Sequence, residues 1–314
     1  MKILLVYFSG TGNTRFYSEL IAREIIGRGH ECELFDIEDG VDLPGLWHQN
    51  PVIHDYMHEA EKRAPLHPAG IEKTADEKSL RASLEKFREK AVRYDLIGFG
   101  SPVYFFMPAP VMESFIGLMP DIRGKRAFTY GTHMEGPVDF PQNFGKLLEP
   151  KTAGIIGHID DHIMHSELIP VLPEFLPVAK IFALYLKYRL PLIKRKIAAF
   201  LNKLGVTLNS STIKRLIVPE TGAGMIAGGK VVEKALYASF RFAIGNEFVE
   251  ERCTLCGLCA RRCPMGLISF EKNRVPARSR HCMYCLRCLN ICPEKAVIWR
   301  RIYKNTARFK GFEK

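Results

Sequence analysis

The sequence predicts an α/β protein: a doubly wound parallel sheet of five strands, then a helical middle segment, then a small α+β domain rich in cysteine. Three observations predict it. Apolar, β-rich runs alternate with helical segments through the first half of the chain, the middle turns basic and apolar, and eight of nine cysteines fall in the last 62 of 314 residues. Charge divides the chain in the same way: residues 1–177 carry a net −8, residues 178–244 a net +10 and residues 245–314 a net +9. The expected boundaries are 1–165, 166–244, 245–302 and a basic tail, 303–314. With 47% apolar and 25% charged residues the composition is globular, which excludes collagenous and low-complexity structure.

Met1 to Phe8 is the first strand, followed at once by SGTGNTR and by Phe16 to Ile26 with helical periodicity. In a strand–turn–helix of this kind glycines let the backbone approach an anion, which the Ser9, Thr11 and Thr14 hydroxyls and the Asn13 amide would surround at a helix N-terminus. The turn lacks both G-x-G-x-x-G and the lysine of a P-loop. Further strands are expected at Glu31–Ile37, Asp95–Gly100, Arg126–Tyr130 and Ala153–His158, with the ligand beyond the strand C-termini at the switch point.

Residues 1–165 resemble flavodoxin. The resemblance implies an FMN whose phosphate is held by Ser9, Gly10, Thr11, Gly12, Asn13 and Thr14. It also implies a flavin ring flanked by Ser101, Pro102, Val103, Tyr104 and Phe105 on one side and by Gly131, Thr132 and His133 on the other. Tyr104 and His133 are the candidate catalytic residues; Tyr104 or Phe105 would stack on the ring, or else pack the third helix. The string SPVYFFMPAP carries no carboxylate, so negative charge on a reduced flavin should cost less and two-electron cycling should be easier.

Histidines recur nearby. GHIDDHIMH (His158, Asp160, Asp161, His162, His165) follows the fifth strand, where an acid for a reduced substrate could sit, although loop and helix-capping roles are the more ordinary reading and the spacing is irregular for metal ligands. His54 and His58 share a helix face or a flap, and Cys32 reads as a small buried apolar residue. In the middle segment Glu174–Leu190 is apolar nearly all round. Pro191 then opens a helix with Ile193, Ile197, Phe200, Leu201 and Leu204 along one stripe. The first of these helices would complete the α/β layer, and residues 174–204 could roof the flavin, dock a partner or lie on an anionic membrane.

The cysteines form two strings, CTLCGLCARRCP (253–264) and CMYCLRCLNICP (282–293), each C-x2-C-x2-C-x3-C-P and offset by 29 positions throughout. Three thiolates at this spacing can wrap three corners of an iron–sulfur cube. Zinc sites favour two separated pairs, and a disulfide framework favours a small secreted chain. The strings resemble the bacterial ferredoxin with two [4Fe–4S] clusters. That resemblance implies one ligand set of Cys253, Cys256, Cys259 and Cys292 and a second of Cys282, Cys285, Cys288 and Cys263.

Together the two halves resemble flavodoxin–ferredoxin fusion proteins. The implied function is an iron–sulfur flavoprotein oxidoreductase that takes single electrons from a low-potential donor through the clusters to FMN, which reduces a bound, small apolar substrate. The alternative is a non-enzymatic carrier that serves a partner protein. A homodimer is also allowed, and no nucleic-acid motif accompanies the basic charge. The Ile3–Phe8 run is shorter than a signal-peptide core and lacks a cleavage site, so a cytoplasmic location is expected.

Overall fold

The computed structural model describes residues 1–48, 77–104, 106–133, 139–163, 178–209, 247–271, 273–278 and 282–298. In its first strand, β1 (Lys2–Tyr7), Leu4 and Val6 enter one apolar cluster, and Ile3, Leu5 and Tyr7 enter the cluster on the opposite face. Side chains alternate across a strand, so a run that is apolar at every position needs a layer of helices on each side. Helix α1 (Asn13–Gly27) covers the second face with Leu20, Ile21 and Ile25. There follow β2 (Glu31–Asp36), α2 (Ile37–Gly40), α3 (Leu43–His48), α4 (Glu77–Ala91), β3 (Leu96–Tyr104) and β4 (Met107–Pro108). Next come α5 (Pro110–Leu118), β5 (Ile122–His133), α6 (Phe140–Leu148), β6 (Thr152–His162) and α7 (Val178–Asn209).

The strand order is β2-β1-β3-β5-β6, all parallel, with β4 turning back antiparallel on the end of β3. The direction of winding therefore reverses between β1 and β3, which opens a crevice at their C-terminal ends. Helices α3 to α6 cover the first face, and α1 with α7 the second.

Three strands outrun their sequence pattern. β3 continues to Tyr104, where Phe106 at a φ of 68° lets the chain turn into β4. β5 and β6 stay paired through Gly131 with Asp160, Thr132 with Asp161, and His133 with His162. Asp160, Asp161 and His162 thus continue the strand past His158, where the sequence suggested a loop or a cap. Their polar side chains tolerate the strand because the neighbouring ladder satisfies the backbone.

Pro191 does not open a helix; it sits inside α7. Pro191 and Lys187, whose carbonyl loses its partner, are both exposed, so water replaces the missing hydrogen bond. The second half of α7, rather than the first, completes the layer: Ile193, Ile197, Leu201 and Leu204 are buried against the sheet and α1. That stripe is therefore closed to a membrane, while Leu184, Tyr188 and Leu192 remain exposed. Among the described residues no helix is long and apolar enough to cross a membrane. Segment 164–177, which holds His165, and the histidines at 54 and 58 lie outside the described residues.

The cysteine-rich domain repeats itself in three dimensions. Strand β7 (Glu247–Phe248) pairs with β10 (Val297–Ile298), and β8 (Ile268–Ser269) pairs with β9 (Ala277–Arg278). Helices α8 (Leu258–Arg261) and α9 (Arg287–Ile291) start 29 positions apart, as do β8 and β10. Left-handed residues keep the same offset: Leu255 with Tyr284, Gly257 with Leu286, Gly266 with Lys295. Non-glycine residues held at positive φ cost about 1 kcal/mol or more each, so both strings hold the same strained winding about their cysteines.

If α7 belongs to the core, Ile197→Ala should lower unfolding stability by about 2–4 kcal/mol, whereas Leu192→Ala should stay within about 0.5 kcal/mol. Equal effects in denaturant titration would contradict the packing described.

Candidate functional site

The SGTGNT turn joins β1 to α1 at the crevice. Ser9 Oγ accepts the Gly12 and Arg15 amides, both at 3.1 Å, which folds the turn back on itself. Gly12 takes the N-cap position at a φ of 103°, with no side-chain cap and open space where a Cβ would stand. A fifteen-residue helix therefore starts beside open space at Gly12, with Ser9 Oγ on the Arg15 amide of its first turn, and a glycine-rich helix start is the arrangement that receives an anion. Thr14 Oγ1 lies 2.9 Å from Thr132 Oγ1 in a buried contact, which ties this turn to the end of β5. On the opposite side of the turn Arg15 pairs with Asp36 at 2.9 Å.

The residues assigned to the flavin ring fall into two groups. Ser101 is fully buried and accepts the Ala109 amide at 2.8 Å, so it closes the β3–β4 hairpin. Gly131 is likewise given over to packing: a Cβ there would meet Phe140 at 2.4 Å. Pro102, Val103 and Tyr104 are half-buried at the crevice, and Thr132 and His133 stand at the end of β5. Phe105 lies outside the described residues. Cys32 is half-buried on β2, packed against the second apolar cluster, and burial, reinforced by Glu33, pushes its thiol up to about 12.

His133 belongs to a buried polar group. Its Nε2 is 2.9 Å from Asp160 Oδ1, and His158 Nε2 is 3.2 Å from Asp160 Oδ2. Thr129 Oγ1 contacts His158 Nδ1 at 2.7 Å, and Lys196 of α7 lies 3.6 Å from Asp160 Oδ1. Burial pushes the Asp160 carboxyl up, but the hydrogen bonds of His133 and His158, with the charges of His158 and Lys196, outweigh it and hold Asp160 well below the carboxylate range. A carboxylate only accepts, so Nε2 of His133 carries the proton in this contact. His133 Nδ1 is left buried without a hydrogen-bond partner, and its side chain is only 9% exposed. A buried polar atom of this kind is costly unless a ligand satisfies it. The glycine-rich helix start, with open space at Gly12, and this orphaned nitrogen fit, in turn, the phosphate and the polar ring edge of FMN. Asp161, the next residue, pairs with Arg189 at 2.6 Å. Lys196 and Arg189 come from α7, and nothing in the sequence marks them out among the twelve basic residues of 178–244.

The cysteines gather into two groups of four. One cavity is lined by Cys253, Cys256, Cys259 and Cys292. Burial pushes the Cys259 thiol up to about 11, with contributions from Cys292, Cys253 and Cys256. Cys263, Cys282, Cys285 and Cys288 interact in the same way with one another, and Cys285 is pushed up to about 12, chiefly by burial. Backbone amides point at sulfur in matching places: Leu267 N–H to Cys263 Sγ at 3.3 Å and Ala296 N–H to Cys292 Sγ at 3.2 Å. Among the described residues no three His, Cys, Asp or Glu side chains converge closely enough to hold a single metal ion. The second group abuts the N-terminal domain. Met265, Leu267 and Met283 are buried in the same cluster as Leu43, Leu46 and Phe8, and Val103, Tyr104, Cys263 and Cys285 pack against it.

Comparison with known proteins agrees with this division. Residues 1–134 match the family model of NADPH-dependent FMN reductases, and residues 246–293 match that of the 4Fe-4S dicluster domain. The chain is similar to NADH-quinone oxidoreductase subunit I 2 of Streptomyces coelicolor, 40% identical over 70 residues that cover 16% of this chain and 36% of that protein. An uncharacterized ferredoxin of Methanocaldococcus jannaschii is 42% identical over 53 residues, covering 16% and 34%. The chain thus spans about a third of the length of these curated relatives. Among solved structures, an archaeal flavodoxin aligns over 65% of this chain and 99% of its own, at 13% identity and a TM-score of 0.33. The chain joins an N-terminal flavodoxin-like FMN-binding domain to a C-terminal 4Fe-4S dicluster domain.

Proposed function

We propose that this chain is an electron-transfer protein, in which two [4Fe–4S] clusters supply single-electron steps and FMN supplies one- or two-electron chemistry, in exchange with a partner redox protein. The observation that carries the reading is the direct contact of the two halves. Cys285 lies against the β1–α1 turn, and Met265, Leu267 and Met283 share an apolar cluster with Val103 and Tyr104, so among the described residues the second cysteine group adjoins the flavin crevice directly.

Cys253, Cys256, Cys259 and Cys292 would hold one cluster, and Cys263, Cys282, Cys285 and Cys288 the other. The repeated C-x2-C-x2-C-x3-C-P spacing supports this, since the fourth cysteine of each string ligates the other cluster in two-cluster ferredoxins. Buried thiols raised to about 11 and about 12, as at Cys259 and Cys285, stay protonated at neutral pH until iron supplies positive charge. Cys256 is the exposed cysteine of the first group, so that group faces the docking partner. In the N-terminal domain residues 9–14 would hold the phosphate, and Pro102, Val103, Tyr104, Thr132 and His133 the ring.

The His133–Asp160 pair carries a second reading, in which a small apolar substrate is reduced at the same edge. Asp160 accepts from Nε2 and fixes the ring, so Nδ1 is the atom left to exchange a proton with the substrate.

Anaerobic reconstitution should give about eight iron and one FMN per chain, and Cys285→Ser should lose about four iron while the Cys253 group keeps its own. Reduced ferredoxin should then bleach the flavin absorbance at least about tenfold more slowly in Cys256→Ser, since an incomplete first cluster blocks the port. Bleaching at the wild-type rate in that variant would overturn the reading, and NADPH oxidation with a small acceptor at a faster rate would favour the second.

Asp160 also has an acid signature. A carboxyl held below its unfolded value of about 4 adds stability that is present above that pH and is lost as pH falls below it. Wild-type melting temperature should therefore fall more steeply below about pH 4 than that of Asp160→Asn; parallel acid profiles would show that the carboxylate is not held ionised.

A further inference from the structure

Arg287 stands between two cysteines of the second string, as the first residue of α9, yet its side chain leaves its own domain. Its Nε donates to the Gly10 carbonyl at 2.8 Å and its Nη2 to the Ser9 carbonyl at 2.9 Å. The same guanidinium grips Glu38 with both terminal nitrogens, at 2.5 and 2.6 Å, the bidentate geometry of a strong charge-assisted pair. Burial works against the charge on Arg287, but the hydrogen bond and charge of Glu38 more than restore it. Glu38 is itself anchored, because its amide donates to Asp36, the partner of Arg15 in the first turn of α1. Arg287 with Glu38 and Arg15 with Asp36 thus form two ion pairs beside the turn, joined through the Glu38 amide.

The consequence lies in the two peptide units held. In a planar trans peptide the N–H points opposite to the C=O. Fixing the Ser9 and Gly10 oxygens toward Arg287 therefore aims the Gly10 and Thr11 amides the other way, toward the inside of the turn. Ser9 Oγ is engaged with the Gly12 and Arg15 amides. The approach is close enough to need glycine: a Cβ on Gly10 would lie 2.9 Å from Cys285 Cβ and 3.2 Å from its carbonyl oxygen.

We propose that Arg287 is a positioning residue that makes phosphate binding in the N-terminal domain depend on assembly of the neighbouring cluster. This rests on the reading that residues 9–14 hold the FMN phosphate. Iron orders the loop that carries Cys285 and Cys288, the ordered loop delivers Arg287 to the two carbonyls, and the carbonyls orient the amides. By linkage, bound FMN stabilises the second cluster to the same extent.

The test uses the full chain, reconstituted anaerobically, with flavin affinity read by fluorescence quenching for both FMN and riboflavin, which lacks the phosphate. Arg287→Gln should keep its iron, bind FMN about tenfold more weakly and bind riboflavin within about twofold of wild type. Arg287→Lys, which keeps the charge without the fork, should recover part of the loss. Removing iron from the wild type should weaken FMN by a similar factor, and removing it from Arg287→Gln should add little. Equal losses for FMN and riboflavin, or unchanged FMN affinity at full iron content, would overturn the coupling. A wild type that binds riboflavin as tightly as FMN would instead overturn the phosphate reading beneath it.

Discussion

The contact between the β1–α1 turn and the second cysteine string constrains both domains at once. Gly10 has no Cβ, and that absence lets the backbone of one domain touch Cys285 of the other. A contact so close leaves no room for a solvent layer, and Arg287 fills the remaining polar demand with the Ser9 and Gly10 carbonyls. Neither domain can shift without breaking half-buried hydrogen bonds to a charged group, each worth about 1.5–3 kcal/mol at most. Met265, Leu267 and Met283, buried in the core of the N-terminal domain, add the apolar part of the same constraint.

The sheet supplies the rigid base on which this contact acts. β1 is apolar on both faces and lies centrally, paired with β2 and β3. The turn that follows it is therefore held at the switch point by two ladders and two helical layers. The overlong β5 and β6 extend this base past the usual strand ends and bring His133 and Asp160 to the crevice as a rigid pair. Polar residues at the tip of a paired strand keep their geometry, whereas the same residues in a loop would lose it to conformational entropy.

The cysteine domain has a small core, with Leu286, Leu289, Ile268 and Val297 at its centre. It also keeps several residues in the left-handed region at repeat-related positions. A domain this small rarely stabilises such strain from apolar burial alone, and metal–thiolate bonds are the usual reinforcement. On the proposed reading, iron bound there and the contact with the β1–α1 turn join the loading of the two cofactor sites into one physical problem.

Much of the fold is legible in the chain. β1, α1 and the turn between them could be read because their signals are local: apolar at every position, then small and polar, then helical in period. The cysteine strings could be read because ligand spacing is set by covalent geometry. Other features escaped for equally physical reasons. Pro191 carries a helix-start signal, but exposure on α7 lets water replace the lost hydrogen bond. The His158–His162 stretch has the composition of a loop, and only pairing with β5 makes it a strand. Arg287 is one of fifteen basic residues after position 244, and its role follows from meeting a turn some 277 positions away. The sequence by itself determined the fold class, the two cysteine strings and the glycine-rich turn after the first strand, since each depends on neighbours along the chain. The tertiary structure alone decided which cysteine group faces the flavin crevice, which carboxylate orients His133 and which guanidinium holds the turn, because those pairings depend on packing between residues far apart in the chain.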